Sequence, residues 1–127
     1  MISGAQKICG VDVGSTTVKY VLWAEGQVLN RAYKRHHTHQ AAQVLDFFSA
    51  IEQCFDFTPG FDLVFFTGSG AGKLAELVGG KIYQEVVAVG ASVEKLHPDV
   101  RFVSEIGGED MKRFVSTSPA NLAPGRC

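Results

Sequence analysis

Three β-rich apolar runs open the chain, Ile8 to Val13, Val18 to Trp23 and Val28 to Tyr33, separated by the small polar groups Gly14-Ser15-Thr16 and Glu25-Gly26-Gln27. Connections this short join neighbouring antiparallel strands, so the pattern predicts a three-stranded meander. From Ala41 to Phe55 the period changes. Val44, Leu45, Phe47, Phe48 and Ile51 recur at spacings of three and four, which gathers them on one face of a helix, and Pro59-Gly60 closes that unit.

Leu63 to Thr67 is a continuous apolar run of strand length, expected to be buried on both faces as parallel strands are, and it runs into Gly68-Ser69-Gly70-Ala71-Gly72. A short helix is predicted from Lys73 to Val78, ended by Gly79-Gly80, then a short strand from Lys81 to Tyr83 and a helix from Glu85 to Leu96, stopped by His97-Pro98. A hairpin follows, Phe102 to Ile106 and Met111 to Val115 around Gly107-Gly108-Glu109-Asp110. This order resembles the α/β ribonuclease H-like unit, a mixed five-stranded sheet flanked by helices, from which actin-like ATPases, acetate and sugar kinases and heat-shock chaperones are built. Residues 1–99 are expected to form the first lobe and residues 100–115 the first hairpin of a second, incomplete lobe. Residues 116–127, rich in Ser, Thr, Pro, Asn and Gly, are expected to be disordered.

With 127 residues, 46% of them hydrophobic and nine of them Phe, the chain can build one core. Twelve basic residues against thirteen acidic ones leave a net charge of -1, so no global field draws it to nucleic acid or an anionic membrane. The longest apolar runs fall far short of the roughly 20 residues of a membrane span. Met1 to Lys7 lacks the apolar core of a secretory signal, and a cytoplasmic location is expected. Three cysteines, Cys9, Cys54 and Cys127, have no CxxC spacing and indicate neither a disulfide framework nor a zinc site.

The chemistry concentrates in Asp12-Val13-Gly14-Ser15-Thr16-Thr17-Val18-Lys19, a strand that delivers a carboxylate into a tight turn of small and hydroxyl residues. Gly14 lets backbone approach a phosphate, and the N–H groups and hydroxyls of Ser15, Thr16 and Thr17 can donate to its oxygens. Asp12 would repel a bare phosphate, yet it suits a hydrated Mg²⁺ that bridges nucleotide phosphates. Lys19 either adds positive charge or faces solvent on its strand. The plain alternative is an ordinary hairpin turn, since Asp, Gly, Ser and Thr are turn residues. A second segment, Glu105-Ile106-Gly107-Gly108-Glu109-Asp110, repeats the logic of strand, acid, Gly pair and acid. Two such loops across a cleft would clamp a nucleotide from both sides.

Together with Thr67-Gly68-Ser69-Gly70 and Glu85-Val86, these loops resemble, in order, the landmarks of the ATPase activators of 2-hydroxyacyl-CoA dehydratases and benzoyl-CoA reductases, over Lys7 to Lys112. The resemblance implies an ATP/ADP site with Mg²⁺. Asp12 would organise metal or water, Gly14 to Thr17 and Lys19 would cradle phosphate, and Gly107, Gly108 and Asp110 would form the second phosphate loop. Asp12 and Asp110 would be the catalytic carboxylates. Glu105 stands where many members have Asp and would be an additional metal contact. In that family a homodimer shares one 4Fe-4S cluster and uses ATP hydrolysis to push an electron into an acyl-CoA dehydratase or reductase. The family's cluster segment, Cys-Ala-Ala-Gly-Thr-Gly in style, is missing; Cys127 sits instead in Pro124-Gly125-Arg126-Cys127. This chain alone is expected to turn over little or no ATP.

Other signals carry less. Gly68 to Lys73 is not a P-loop, since Thr67 and Leu74 occupy the places of its first Gly and its Ser/Thr, and Lys73 stands where a dinucleotide fingerprint has its third Gly. His36, His37 and His39 read as a solvated loop rather than a metal site. The rival functional readings are a lobe of a sugar or acetate-type kinase, and a non-catalytic binding or assembly module whose exposed strand edges drive dimerisation.

Overall fold

The computed structural model describes residues 5–58, 61–106, 111–118 and 121–124. The chain divides into two compact units, Met1–Ile82 and Tyr83–Cys127.

In the first unit β1 (Ile8–Val13), β2 (Thr17–Ala24) and β3 (Gln27–Arg35) form the predicted meander, followed by α1 (Gln40–Phe55), β4 (Leu63–Thr67), α2 (Ala71–Val78) and β5 (Lys81–Ile82). The strand order is β3-β2-β1-β4-β5, with β2 antiparallel to β1 and to β3, and β4 parallel to both β1 and β5. This is the mixed five-stranded sheet of the expected fold. Glu25 and Gly26, between β2 and β3, both have positive φ (50° and 78°), as tight two-residue hairpin turns require.

Alternation sorts the side chains. Cys9, Val11 and Val13 of β1, with Val18, Tyr20, Leu22 and Ala24 of β2, are buried on one face of the sheet. Val44, Phe47 and Ile51 of α1 and Ala71 and Ala75 of α2 join the same core, with Tyr20 and Phe47 in contact at 4.7 Å between ring centroids. β4 differs from expectation. Phe66 is fully buried in this core and Val64 packs against it, whereas Leu63 and Phe65 alternate to the opposite face and are only half-buried. The run is apolar throughout, but α1 and α2 both cover the Phe66 side.

A buried carboxylate ties the amino ends of β1 and β4 together. Asp62 is 5% exposed, and its oxygens accept from the backbone N–H groups of Lys7 (2.7 Å) and Thr58 (2.6 Å). α2 begins two residues before the predicted start, because the turn after β4 is complete by Gly70 and Ala71 is already packed in the core. Gly79 closes α2 in the left-handed conformation.

The second unit contains α3 (Glu85–Leu96) and a separate antiparallel sheet of β6 (Phe102–Ile106), β7 (Met111–Ser118) and β8 (Asn121–Pro124). α3 and the β6–β7 hairpin match the sequence pattern. The stretch from Ser116, read from composition as disordered, contributes strand instead. β7 continues to Ser118 and β8 pairs along it from Phe114↔Pro124 to Ser118↔Asn121, the backbone ladder supplying order that an apolar pattern does not. Cys127 lies outside the described residues. No helix among the described residues is long and apolar enough to cross a membrane.

Candidate functional site

The parallel pairing of β1 with β4 sets Asp12 beside Thr67, at the carboxyl ends of two neighbouring strands. From there the chain leaves in opposite senses, β1 into the hairpin to β2 and β4 into α2. Such divergence at strand carboxyl ends is where open α/β sheets place ligands.

Asp12 pairs across the hairpin with Lys19, whose Nζ lies 3.0 Å from Oδ2. Lys19 also lies 5.7 Å from the centroid of the Tyr33 ring, so its ammonium is held between a carboxylate and an aromatic face. Both members of the ion pair are about a third exposed or more, 32% for Lys19 and 40% for Asp12, and the pair contributes less than about 1 kcal/mol to stability. The other oxygen, Asp12 Oδ1, is buried with no hydrogen-bond partner, and so is Thr67 Oγ1 on the adjacent strand. Burying polar atoms without partners is costly, and these two stand in register on neighbouring strands.

The turn from Gly14 to Thr16 is closed by the Gly14 N–H donating to the Thr17 carbonyl at 2.9 Å. Ser15 is half-buried and Thr16 exposed, whereas Thr17 is 8% exposed and lies inside the hairpin. Beside the turn, Gly68 has φ +101° and Gly70 N–H donates to the Val13 carbonyl at 3.0 Å. A Cβ on Gly68 would collide with the Val13 carbonyl and approach Asp12 Oδ1 to 2.7 Å. The Thr67-to-Gly70 turn therefore packs directly on the carboxylate that the sequence singles out. A shallow cavity of about 440 Å³ opens between the amino ends of α1 and α2, lined by Gln40, Ala41, Ser69, Gly70 and Lys73 among others.

Asp12, Gly14, Ser15, Thr16, Thr17 and Lys19 are thus brought together in the first unit. Glu105 lies on β6 of the second, where it pairs in register with Lys112, and Ile106 pairs with Met111. The connection between those strands, with Gly107, Gly108 and Asp110, lies outside the described residues. Among the described residues there is no group of three or more His, Cys, Asp or Glu side chains placed to hold a metal ion. The one carboxylate at the turn still fits Mg²⁺, which keeps several waters and takes its remaining oxygens from phosphates. Cys9 is a core residue whose thiol burial pushes up to about 12, and Cys54 is exposed.

Two residues escape the sequence reading. His37 and His39 are exposed, but His36 is 4% exposed and its Nε2 lies 3.0 Å from the Gly14 carbonyl oxygen. Gln40, the first residue of α1, donates to the same oxygen at 3.0 Å. A polar run between strand and helix conceals both, because nothing local distinguishes the one histidine that turns inward.

No family model and no curated protein matches the chain. Among solved structures, component A of the (R)-2-hydroxyglutaryl-CoA dehydratase of Acidaminococcus fermentans superposes over 94% of this chain with a TM-score of 0.72 and 21% identity. The activator of the 2-hydroxyisocaproyl-CoA dehydratase of Clostridium difficile, solved with bound ADPNP, does so over 94% with a TM-score of 0.72 and 20% identity. An exopolyphosphatase from Cytophaga hutchinsonii superposes over 92% with a TM-score of 0.63 and 12% identity. The chain spans 47%, 46% and 48% of those three chains, less than half of each. The likeness shows the fold: this chain has the ribonuclease H-like, actin-like ATPase fold that the dehydratase activators share.

Proposed function

We propose that the chain carries the nucleotide-phosphate and Mg²⁺ contacts of an ATPase of the dehydratase-activator type. The observation that carries this reading is the state of Asp12, just before the glycine turn: one oxygen is held by Lys19 and the other is buried without a partner. The ADPNP bound to the Clostridium difficile activator supports nucleotide as the ligand of this fold.

In this reading Asp12 would hold the hydration shell of the metal, while Lys19 fixes the carboxylate and adds positive charge near the phosphates. The turn N–H groups and the Ser15 and Thr16 hydroxyls receive phosphate oxygens. A bound Mg²⁺ would supply positive charge to the phosphates during in-line attack by water on the γ-phosphate, with Asp12 and the turn donors holding it and the phosphates in place. By resemblance to the activators, Gly107 and Gly108 would supply a second phosphate loop, Asp110 a second carboxylate and Glu105 a further metal contact. In a complete activator of this type, a homodimer with a 4Fe-4S cluster would couple hydrolysis to electron delivery into an acyl-CoA dehydratase or reductase component.

Titration calorimetry of the 127-residue chain with ADP, with and without Mg²⁺, tests the reading. Expected is binding that requires Mg²⁺ and weakens at least about tenfold in Asp12→Ala, the loss of a charge-assisted contact. Binding indifferent to both Mg²⁺ and Asp12 would sink it.

A further inference from the structure

One atom of the phosphate turn receives unusual attention from elsewhere in the chain. The Gly14 carbonyl oxygen lies 3.0 Å from His36 Nε2 and 3.0 Å from Gln40 Nε2, side chains 22 and 26 residues away in sequence. The two nitrogens stand 3.5 Å apart, converging on a single acceptor. The His36 ring is oriented from its other side, where Nδ1 accepts the Thr38 N–H at 3.0 Å. An accepting Nδ1 leaves the proton on Nε2, so the neutral ring donates to Gly14. The His36 backbone N–H meanwhile donates to the Thr16 carbonyl at 3.2 Å. His36 therefore grips the turn at both ends, and Gln40 adds a donor from the first residue of α1.

The consequence follows from peptide geometry. No cis peptide bond occurs among the described residues, so the Gly14 C=O and the Ser15 N–H point in opposite directions from one rigid plane. Drawing the carbonyl inward to two donors aims the Ser15 N–H outward, away from His36 and Gln40. Among the described residues, no backbone hydrogen bond of the turn uses the N–H of Ser15 or Thr16. Without this bracing the 14–15 peptide, beside a residue with no Cβ, would rotate among several orientations, and a ligand would have to select one.

We propose that His36 and Gln40 are positioning residues of the phosphate turn, which orient the Ser15 N–H toward an incoming phosphate by holding the Gly14 carbonyl. This inference rests on the reading of the turn as a phosphate site. It assigns the two residues no contact with the nucleotide.

The test uses the full chain with two probes, Mg·ADP and magnesium pyrophosphate, the second lacking any base to recognise. Gln40→Met keeps length and removes the donor, and Gln40→Glu replaces it with an acceptor. Each is expected to weaken both probes about five- to tenfold, the equivalent of one lost hydrogen bond. His36→Gln, which keeps a donor, is expected to stay within about threefold of the original affinity, while His36→Phe is expected to fall with the Gln40 variants. On the unsubstituted chain, nitrogen chemical shifts of the His36 ring should show the Nε2–H form, and the Ser15 amide should shift on adding pyrophosphate. If the chain binds both probes and the Gln40 variants bind equally well, the inference fails while the phosphate reading stands. A proton on His36 Nδ1 in place of Nε2 overturns it without any variant. If the unsubstituted chain binds neither probe, the phosphate reading fails and takes this one with it.

Discussion

Two glycine turns lie side by side at the carboxyl ends of β1 and β4, and they use glycine for opposite purposes. A Cβ at Gly14 would stand 3.2 Å from the Thr17 carbonyl oxygen and 3.5 Å from Lys19 Nζ, tight but tolerable. At Gly68 the backbone has φ +101°, and a Cβ would strike the Val13 carbonyl. The Gly14 turn tolerates a methyl group, whereas the Gly68 turn is already filled by the neighbouring strand. A glycine in a turn is therefore a statement about approach, and only the surroundings tell whether a ligand or the chain's own backbone does the approaching.

Single methyl additions separate the two roles. Gly68→Ala is expected to have the largest effect, a loss of about 3 kcal/mol or more in urea unfolding, since left-handed strain and overpacking against fixed backbone act together. Gly70→Ala comes next, at about 1 kcal/mol. Its Cβ would meet Gln40 Nε2 at 2.7 Å and Val13 Cγ1 at 2.9 Å, and the amide can swing aside where a backbone carbonyl cannot. Gly14→Ala is expected to change stability by less than about 1 kcal/mol while weakening Mg·ADP about tenfold. A Gly14 variant as destabilised as Gly68→Ala would erase the distinction.

A fourth expectation concerns β1 itself and changes stability only at alkaline pH. Burial raises the Cys9 thiol from 9.0 to about 12, so the folded state holds the proton more tightly than the unfolded state. That contribution is fully present below pH 9.0 and is lost as pH rises toward about 12, as denaturant midpoints across that window would record. In native protein at pH 8, iodoacetamide should label the exposed Cys54 and spare Cys9.

The periodic parts of this fold were legible because their physics is local. Val18, Tyr20 and Leu22 alternate, Val44, Phe47 and Ile51 recur at helical spacing, and each pattern survives in the burial of those residues. Asp12 was legible for the same reason: a carboxylate leading into Gly-Ser-Thr-Thr is a local signal, and the chain does bring Asp12, the turn and Lys19 together. What escaped depends on distant partners. The burial of His36 follows from a carbonyl 22 residues earlier, and the burial of Asp62 from an N–H 55 residues earlier. The strand from Asn121 to Pro124 follows from its pairing with β7, a backbone ladder that composition does not announce.

The parallel seam between β1 and β4 also bears on the order in which the chain folds. β1, β2 and β3 meet through short turns and can pair as soon as they exist, while β4 must close a loop that the Asp62–Lys7 hydrogen bond measures at 55 residues. Loop closure of that length costs entropy before it returns any contact, which puts the docking of β4 after the meander in time. Asp12 belongs to the early part, and Thr67 and Gly68 to the late part. The carboxylate meets Lys19 within the meander, and only the arrival of β4 and its following turn buries the other oxygen, so that closing the seam also finishes this side of the site.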